Sequence, residues 1–149
     1  MLNLCPENYR DYITDNFYYG EFWCKCWRCR GTVKPTDIQR DNIVKVALQA
    51  QKHRDNINLP KYPYRKANGD RDIGIRIASG LRCPANNEAV GGKNDSQHLI
   101  GLAYDPQPVG RIDLWDFFCH GLKHTEFIGA GYGNGKVHFD LGYERYWQY

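Results

Sequence analysis

Two stretches carry residue types that can do chemistry: Ser96-Gln97-His98-Leu99-Ile100-Gly101-Leu102-Ala103-Tyr104-Asp105, and Val137-His138-Phe139-Asp140 nearer the end. Each pairs a histidine with an aspartate. Neutral imidazole and carboxylate are good zinc ligands, and three protein ligands with a fourth position left to water is the arrangement of a hydrolytic site. His98 and Asp105 stand seven residues apart. A straight strand would turn them to opposite faces, and a helix would hold them about 10 Å apart along its axis. One ion joins them only if the chain bends between them. Gly101, followed by the small Ala103, permits that bend.

The elements that must position these residues are legible in part. Ile43, Val44, Ala47, Leu48 and Ala50 recur at helical spacing after a Pro-Thr-Asp start signal, which predicts a helix over about residues 36–54. Residues 55–72 hold turn signals such as Asn68-Gly69-Asp70 and read as a loop with at most one edge strand. Ile73, Ile75 and Ile77 alternate with small or charged residues as in a half-buried strand. Leu114, Phe117, Phe118 and Leu122 predict a second helix, with Asp113 in its first turn. The segment Phe127 to Gly142 reads as a hairpin turning at Asn134-Gly135. Strands joined by loops and hairpins favour an α+β fold, a small antiparallel sheet flanked by helices, over a parallel βαβ fold.

The chain has 149 residues, 42% of them hydrophobic and 25% charged, and Lys+Arg minus Asp+Glu is 20 − 17 = +3. That balance suits one globular domain over 1–149, with an aromatic- and Cys-rich segment at 1–34 packed on it. Charge of this size, spread without a basic cluster, argues against a nucleic-acid partner. No apolar run reaches the roughly 18 to 20 residues of a membrane span, and the start lacks a basic stretch followed by an apolar one. The expectation is a chain without signal peptide or membrane insertion, made in a host cytoplasm, and a monomer.

The motifs go further. Ser96-x-His98-x-x-Gly101-x-Ala103-x-Asp105 matches in full the SxHxxGxAxD signature of the zinc D-alanyl-D-alanine carboxypeptidase family, whose fold is shared with the hedgehog signalling domain. Ser79-Gly80-Leu81-Arg82-Cys83-Pro84 with Asn87 and Val90-Gly91-Gly92 resembles the SGYRCPxxNxxVGG segment of its phage and bacterial cell-wall peptidase branch. His138-Phe139-Asp140-Leu141-Gly142, with Arg145 and Trp147, resembles its HxDxG…RxW ending, and Glu21-Phe22-x-Cys24 its EFxC entry. The likeness runs from about residue 20 to the end, with the motifs in the family's order.

Carried over by position, the resemblance implies that His98, Asp105 and His138 ligate Zn2+. Arg82 would bind the substrate's carboxylate or the oxygen of the scissile carbonyl, a task suited to a fixed, always charged fork. Ser96 would supply a hydrogen bond to a ligand or to substrate. Many relatives place an acid three residues before the last histidine as general base, and here that position is Gly135. Asp140 is the nearest remaining carboxylate, and it can serve as base, as orienter of a ligand, or as a ligand that leaves His138 to move protons.

Other candidates have plainer readings. His53 is expected to cap or solvate the end of the first helix, and His120 and His124 to lie on a surface or helix end. Cys119, on the apolar face of the second helix, reads as a core residue. Cys24, Cys26 and Cys29 could share a zinc if Cys5, Cys83 or a histidine completed the set, could form disulfides, for instance to Cys83, or could stay free. The tail Tyr143 to Trp147 reads as core and sheet edge, with part of it free to wall a groove.

The function so implied is zinc-dependent hydrolysis of peptide bonds in peptidoglycan stem peptides or cross-bridges, by an endolysin-like enzyme that acts at the cell wall after release or within a virion. The alternative is a catalytically weak or inactive zinc-fold domain with a structural or binding role, which the missing acid at Gly135 favours. Groove shape, and with it the bond cut, is expected to follow from residues 55–72 and 106–112.

Overall fold

The computed structural model describes residues 7–29 and 33–149. In chain order these form α1 (Asp37–Ile57), α2 (Tyr64–Ala67), β1 (Gly74–Ser79), α3 (Pro84–Ala89), β2 (Ala103–Val109), α4 (Leu114–His124), β3 (Gly129–Gly133), β4 (Lys136–Asp140) and β5 (Arg145–Gln148). Single 3-10 turns lie at Tyr19–Phe22 and Gln97–Ile100. Cys5 lies outside the described residues.

Helix α1 starts where Thr36 and Gln39 cap each other, the threonine hydroxyl accepting from Gln39 N–H and the glutamine oxygen from Thr36 N–H. It runs to Ile57, past the expected residue 54, because His53 and Ile57 extend the buried stripe of Ile43, Val46, Ala47 and Ala50. His53 is therefore no solvated helix end. It is wholly buried, its ring 4.3 Å from that of Phe117 and its Nε2 3.0 Å from the Phe117 carbonyl.

Asp113 caps α4 by accepting from Trp115 and Asp116 N–H, and Phe117 and Phe118 enter the core. His120 is buried against the ring edges of Tyr62 and Tyr64, and His124 Nε2 lies 3.2 Å from the Tyr62 hydroxyl. The same contacts explain the 55–72 stretch. Its tyrosines are drawn onto α4, and the segment folds into the short α2 with no strand.

The five strands form one sheet in the order β1-β2-β4-β3-β5. All neighbours are antiparallel except β3 and β5, so the expected α+β class holds with a mixed sheet. The β3–β4 hairpin closes through Asn134 and Gly135, at φ 49 and 69, as a two-residue turn with positive φ at both positions requires. Tyr104 of β2 and Phe139 of β4, both fully buried, pack with Phe118 and Phe127 in the core. Truncating Phe139 to alanine would cost about 3–5 kcal/mol. Ile13, Phe17, Phe22 and Trp23 of the N-terminal stretch belong to that same core. No helix among the described residues is long and apolar enough to cross a membrane.

Candidate active site

The β2–β4 ladder pairs Ala103 with Asp140 and Tyr104 with Phe139. Continued by one residue, that register sets Asp105 opposite His138, on the sheet face away from Tyr104 and Phe139. His98 arrives from the 3-10 turn that precedes β2. Ser96 opens the turn by accepting from His98 N–H, and Gly101 closes it at φ 79, a left-handed conformation that glycine adopts without penalty. This is the bend that the seven-residue spacing demands.

The three side chains converge. His98 Nε2 lies 3.2 Å from Asp105 Oδ1 and 3.1 Å from His138 Nδ1, and His138 Nδ1 lies 2.9 Å from the same oxygen. A tetrahedral zinc with ligand bonds of about 2.0–2.2 Å has edges of about 3.3–3.6 Å between its donor atoms. The observed triangle is close to one face of that figure. Two imidazoles and a carboxylate are also the donor chemistry such an ion takes, so the residues fit zinc.

Each member is held from behind. His98 Nδ1 donates to the Gly80 carbonyl at 2.6 Å, which leaves the Nε2 lone pair aimed at the cluster. His138 Nε2 meets Asp140 Oδ2 at 2.8 Å, and Asp140 in turn accepts from Gly142 N–H at 2.9 Å and from Arg145. Asp105 gives its second oxygen to Arg82 Nη2 at 2.6 Å, while Arg82 Nε donates to Ser79 Oγ.

The charges follow from these contacts. Burial alone would raise the Asp105 carboxyl, but hydrogen bonds from His138 and His98 outweigh it and hold it below the usual range. Burial drives the His98 pKa down. Burial also opposes charge on His138, yet its two carboxylate partners win and its pKa rises. Asp105 and Asp140, on either side of the His138 ring, thus both favour its charged form.

The triad lies on the wall of a cavity of about 640 Å³, which Arg82, Ser96 and Gly135 also line. Asp140 does not line it: the residue is wholly buried, and its carboxylate is taken up by His138, Gly142 N–H and Arg145. The cavity takes Pro106 and Gln107 from the stretch expected to shape it and nothing from residues 55–72, which pack instead on α4. The tail lines it too, through Tyr143, Tyr146, Trp147 and Tyr149. The Trp147 ring lies 4.9 Å from that of His138.

Sequence reasoning assigned no role to the Gly80 carbonyl, Ser79, Arg145 or Tyr149. Their only trace was the flanking motifs, which named the first three without indicating what they touch.

A family model described as Peptidase M15 matches residues 15–140, most of the chain. No curated protein matches it.

Proposed function

The chain belongs to the Peptidase M15 family, and from that premise we propose that it hydrolyses peptide bonds in peptidoglycan stem peptides or cross-bridges, using zinc held by His98, Asp105 and His138. The observation that carries this reading is the convergence of three donor atoms within 3.2 Å on a cavity wall. When bound, zinc supplies a Lewis acid and a water activated near neutral pH.

The chain's own groups supply the rest. Gly80 and Asp140 fix the ring orientations, and Arg82 anchors Asp105 while bordering the space a substrate would fill. From that border a guanidinium can bind a substrate carboxylate or the oxygen that gains charge as the amide carbon is attacked. Lys93, Lys136 and Arg145 also line the cavity, against Asp95 and Asp105 as its only carboxylates among the described residues. A cationic cleft with an aromatic wall suits a short peptide bearing free carboxylates, which stem peptides are. The motif order seen in the sequence supports the endolysin-like role, lysis of the wall.

Purified protein should release D-alanine or cleave stem peptides from isolated cell walls, stop with chelator and recover with zinc. Full lytic activity in a His98→Ala protein would overturn the mechanism.

One observation favours a second reading, a zinc-fold domain without turnover: Gly135 offers no side chain and Asp140 is sealed behind His138. Stoichiometric zinc with no cleavage of any stem peptide would decide for it.

A further inference from the structure

Four cysteines gather beside the loop that carries Arg82, which itself contributes Cys83. Cys24, Cys26, Cys29 and Cys83 offer sulfur atoms that all lie within 4.8 Å of one another. We propose that these four thiols hold a second zinc ion, structural in role, that clamps the N-terminal stretch to the loop carrying Arg82.

The distances suit that ion. Zinc–sulfur bonds of about 2.3 Å in a tetrahedron give sulfur–sulfur edges of about 3.8 Å. Cys26 and Cys83 stand at 3.8 Å although 57 residues separate them. The spacing Cys24-x-Cys26-x-x-Cys29 keeps three thiols together by local chain geometry, but Cys83 is brought in by the fold. A soft all-thiolate set selects zinc over harder cations, and four protein ligands leave no open position for substrate.

Burial raises the Cys24 and Cys29 thiol pKa values, so a bound cation is what would hold these sulfurs ionised, and N–H donors already point at two of the four. Cys24 Sγ accepts from the Cys83 backbone N–H at 3.3 Å and from Asn86 Nδ2 at 3.5 Å, and Cys83 Sγ accepts from the Asn86 backbone N–H at 3.4 Å. Such donors orient the ligands and offset their negative charge. Cys24 and Cys29 are buried, so the cluster is withdrawn from bulk solvent on one side. A disulfide could join any two of these sulfurs, but the mutual closeness of all four is what a shared ion requires.

The clamp has a consequence for the candidate active site. Leu81 N–H donates to the Phe22 carbonyl at 2.8 Å, and Arg82 N–H to the His98 carbonyl at 2.9 Å. Locking Cys83 to residues 24–29 therefore fixes the backbone on both sides of Arg82 and supports the turn that presents His98.

The test uses the full chain, purified with reductant and zinc. Wild type should hold two zinc per chain. A His98→Ala/Asp105→Ala protein should hold one, and cobalt put in its place should show thiolate-to-metal charge-transfer absorption in the near ultraviolet. Cys26→Ser/Cys83→Ser should lose that absorption. Should this variant fail to fold, the first double variant still decides. Overturning results are no zinc in His98→Ala/Asp105→Ala, a bound metal without the thiolate band, or thiols of protein purified without reductant that stay unreactive in denaturant with chelator, as disulfides would. None of these readouts needs peptide cleavage, so they stand apart from the fate of the hydrolase reading.

Discussion

Asp140 stands 2.8 Å from His138 on the ring nitrogen opposite the one that faces Asp105. Asp140 is wholly buried and accepts from Arg145 and the Gly142 backbone as well. These contacts hold its pKa down against the burial that would raise it, so it stays charged. A charged, sealed carboxylate behind an imidazole raises the basicity of that ring and fixes its direction. Under the proposed function, such a carboxylate is suited to positioning His138 more than to taking protons from a substrate.

Asp140→Asn keeps an acceptor for His138 but removes the charge. Zinc affinity at the triad should fall about 10–100-fold, with much of the activity regained at saturating zinc. Competition with a chelator of known affinity, alongside kcat at high zinc, measures both. An unchanged affinity with a collapsed kcat would make Asp140 the general base instead.

Arg82 donates through Nη2 to Asp105 and through Nε to Ser79, and lines the cavity. Lysine keeps the charge but cannot reproduce the two-point fork. At saturating zinc, Arg82→Lys should lower kcat/KM by about 10²–10³-fold, the scale of a lost transition-state donor. Recovery of the full rate under those conditions would confine Arg82 to holding Asp105.

Much of this arrangement was legible because its signals are local. The Ile73, Ile75, Ile77 alternation, the stripe of α1 and the Asn134-Gly135 turn each reflect one element's periodicity or backbone need. Gly101 was readable as a bend because seven residues cannot otherwise bring His98 to Asp105. Strand β2 was not, since Pro106 and Pro108 break the usual strand composition. They are tolerated because that half of β2 pairs only with β1, so one side of the ladder asks for no donor. Helix α3 hid behind an uncommon cap, the Cys83 thiol. The place of the aromatic tail was legible only in part, as core and sheet edge with some of it free to wall a groove. It depends on β5 returning parallel to β3, a long-range pairing that no window of sequence encodes.

His53 provides a pH handle on stability. Burial pushes its pKa down to about 3, and its Nδ1 has no hydrogen-bond partner, so a proton there would sit uncompensated among aromatic rings. The unfolded chain protonates an ordinary histidine near pH 6.5, whereas the folded chain resists. Its contribution is therefore full above about pH 6.5 and is lost as pH falls toward 3, by up to about 1.4 kcal/mol per pH unit. His53→Gln can still donate to the Phe117 carbonyl and does not titrate. Denaturant unfolding between pH 6 and 4 should show a shallower loss for the variant by about that slope, and equal slopes would sink the prediction.

Gly129 tests the support of His138 without touching any ligand. It pairs with Asp140 across the β3–β4 ladder, and a methyl group added there would overlap both carboxylate oxygens of Asp140. Asp140 can retreat only by giving up its bond to His138, because the other side of the carboxylate is fixed by Gly142 and Arg145. Gly129→Ala should weaken zinc binding at the triad by about tenfold or more, the lower end of a lost orienting contact. It should act through the same bond as Asp140→Asn, so the double variant should lose clearly less than the sum of the two single losses. Zinc titrations of the four proteins in one cycle provide the measurement. Strict additivity would mean that Gly129 acts independently of the Asp140–His138 bond and serves the sheet alone.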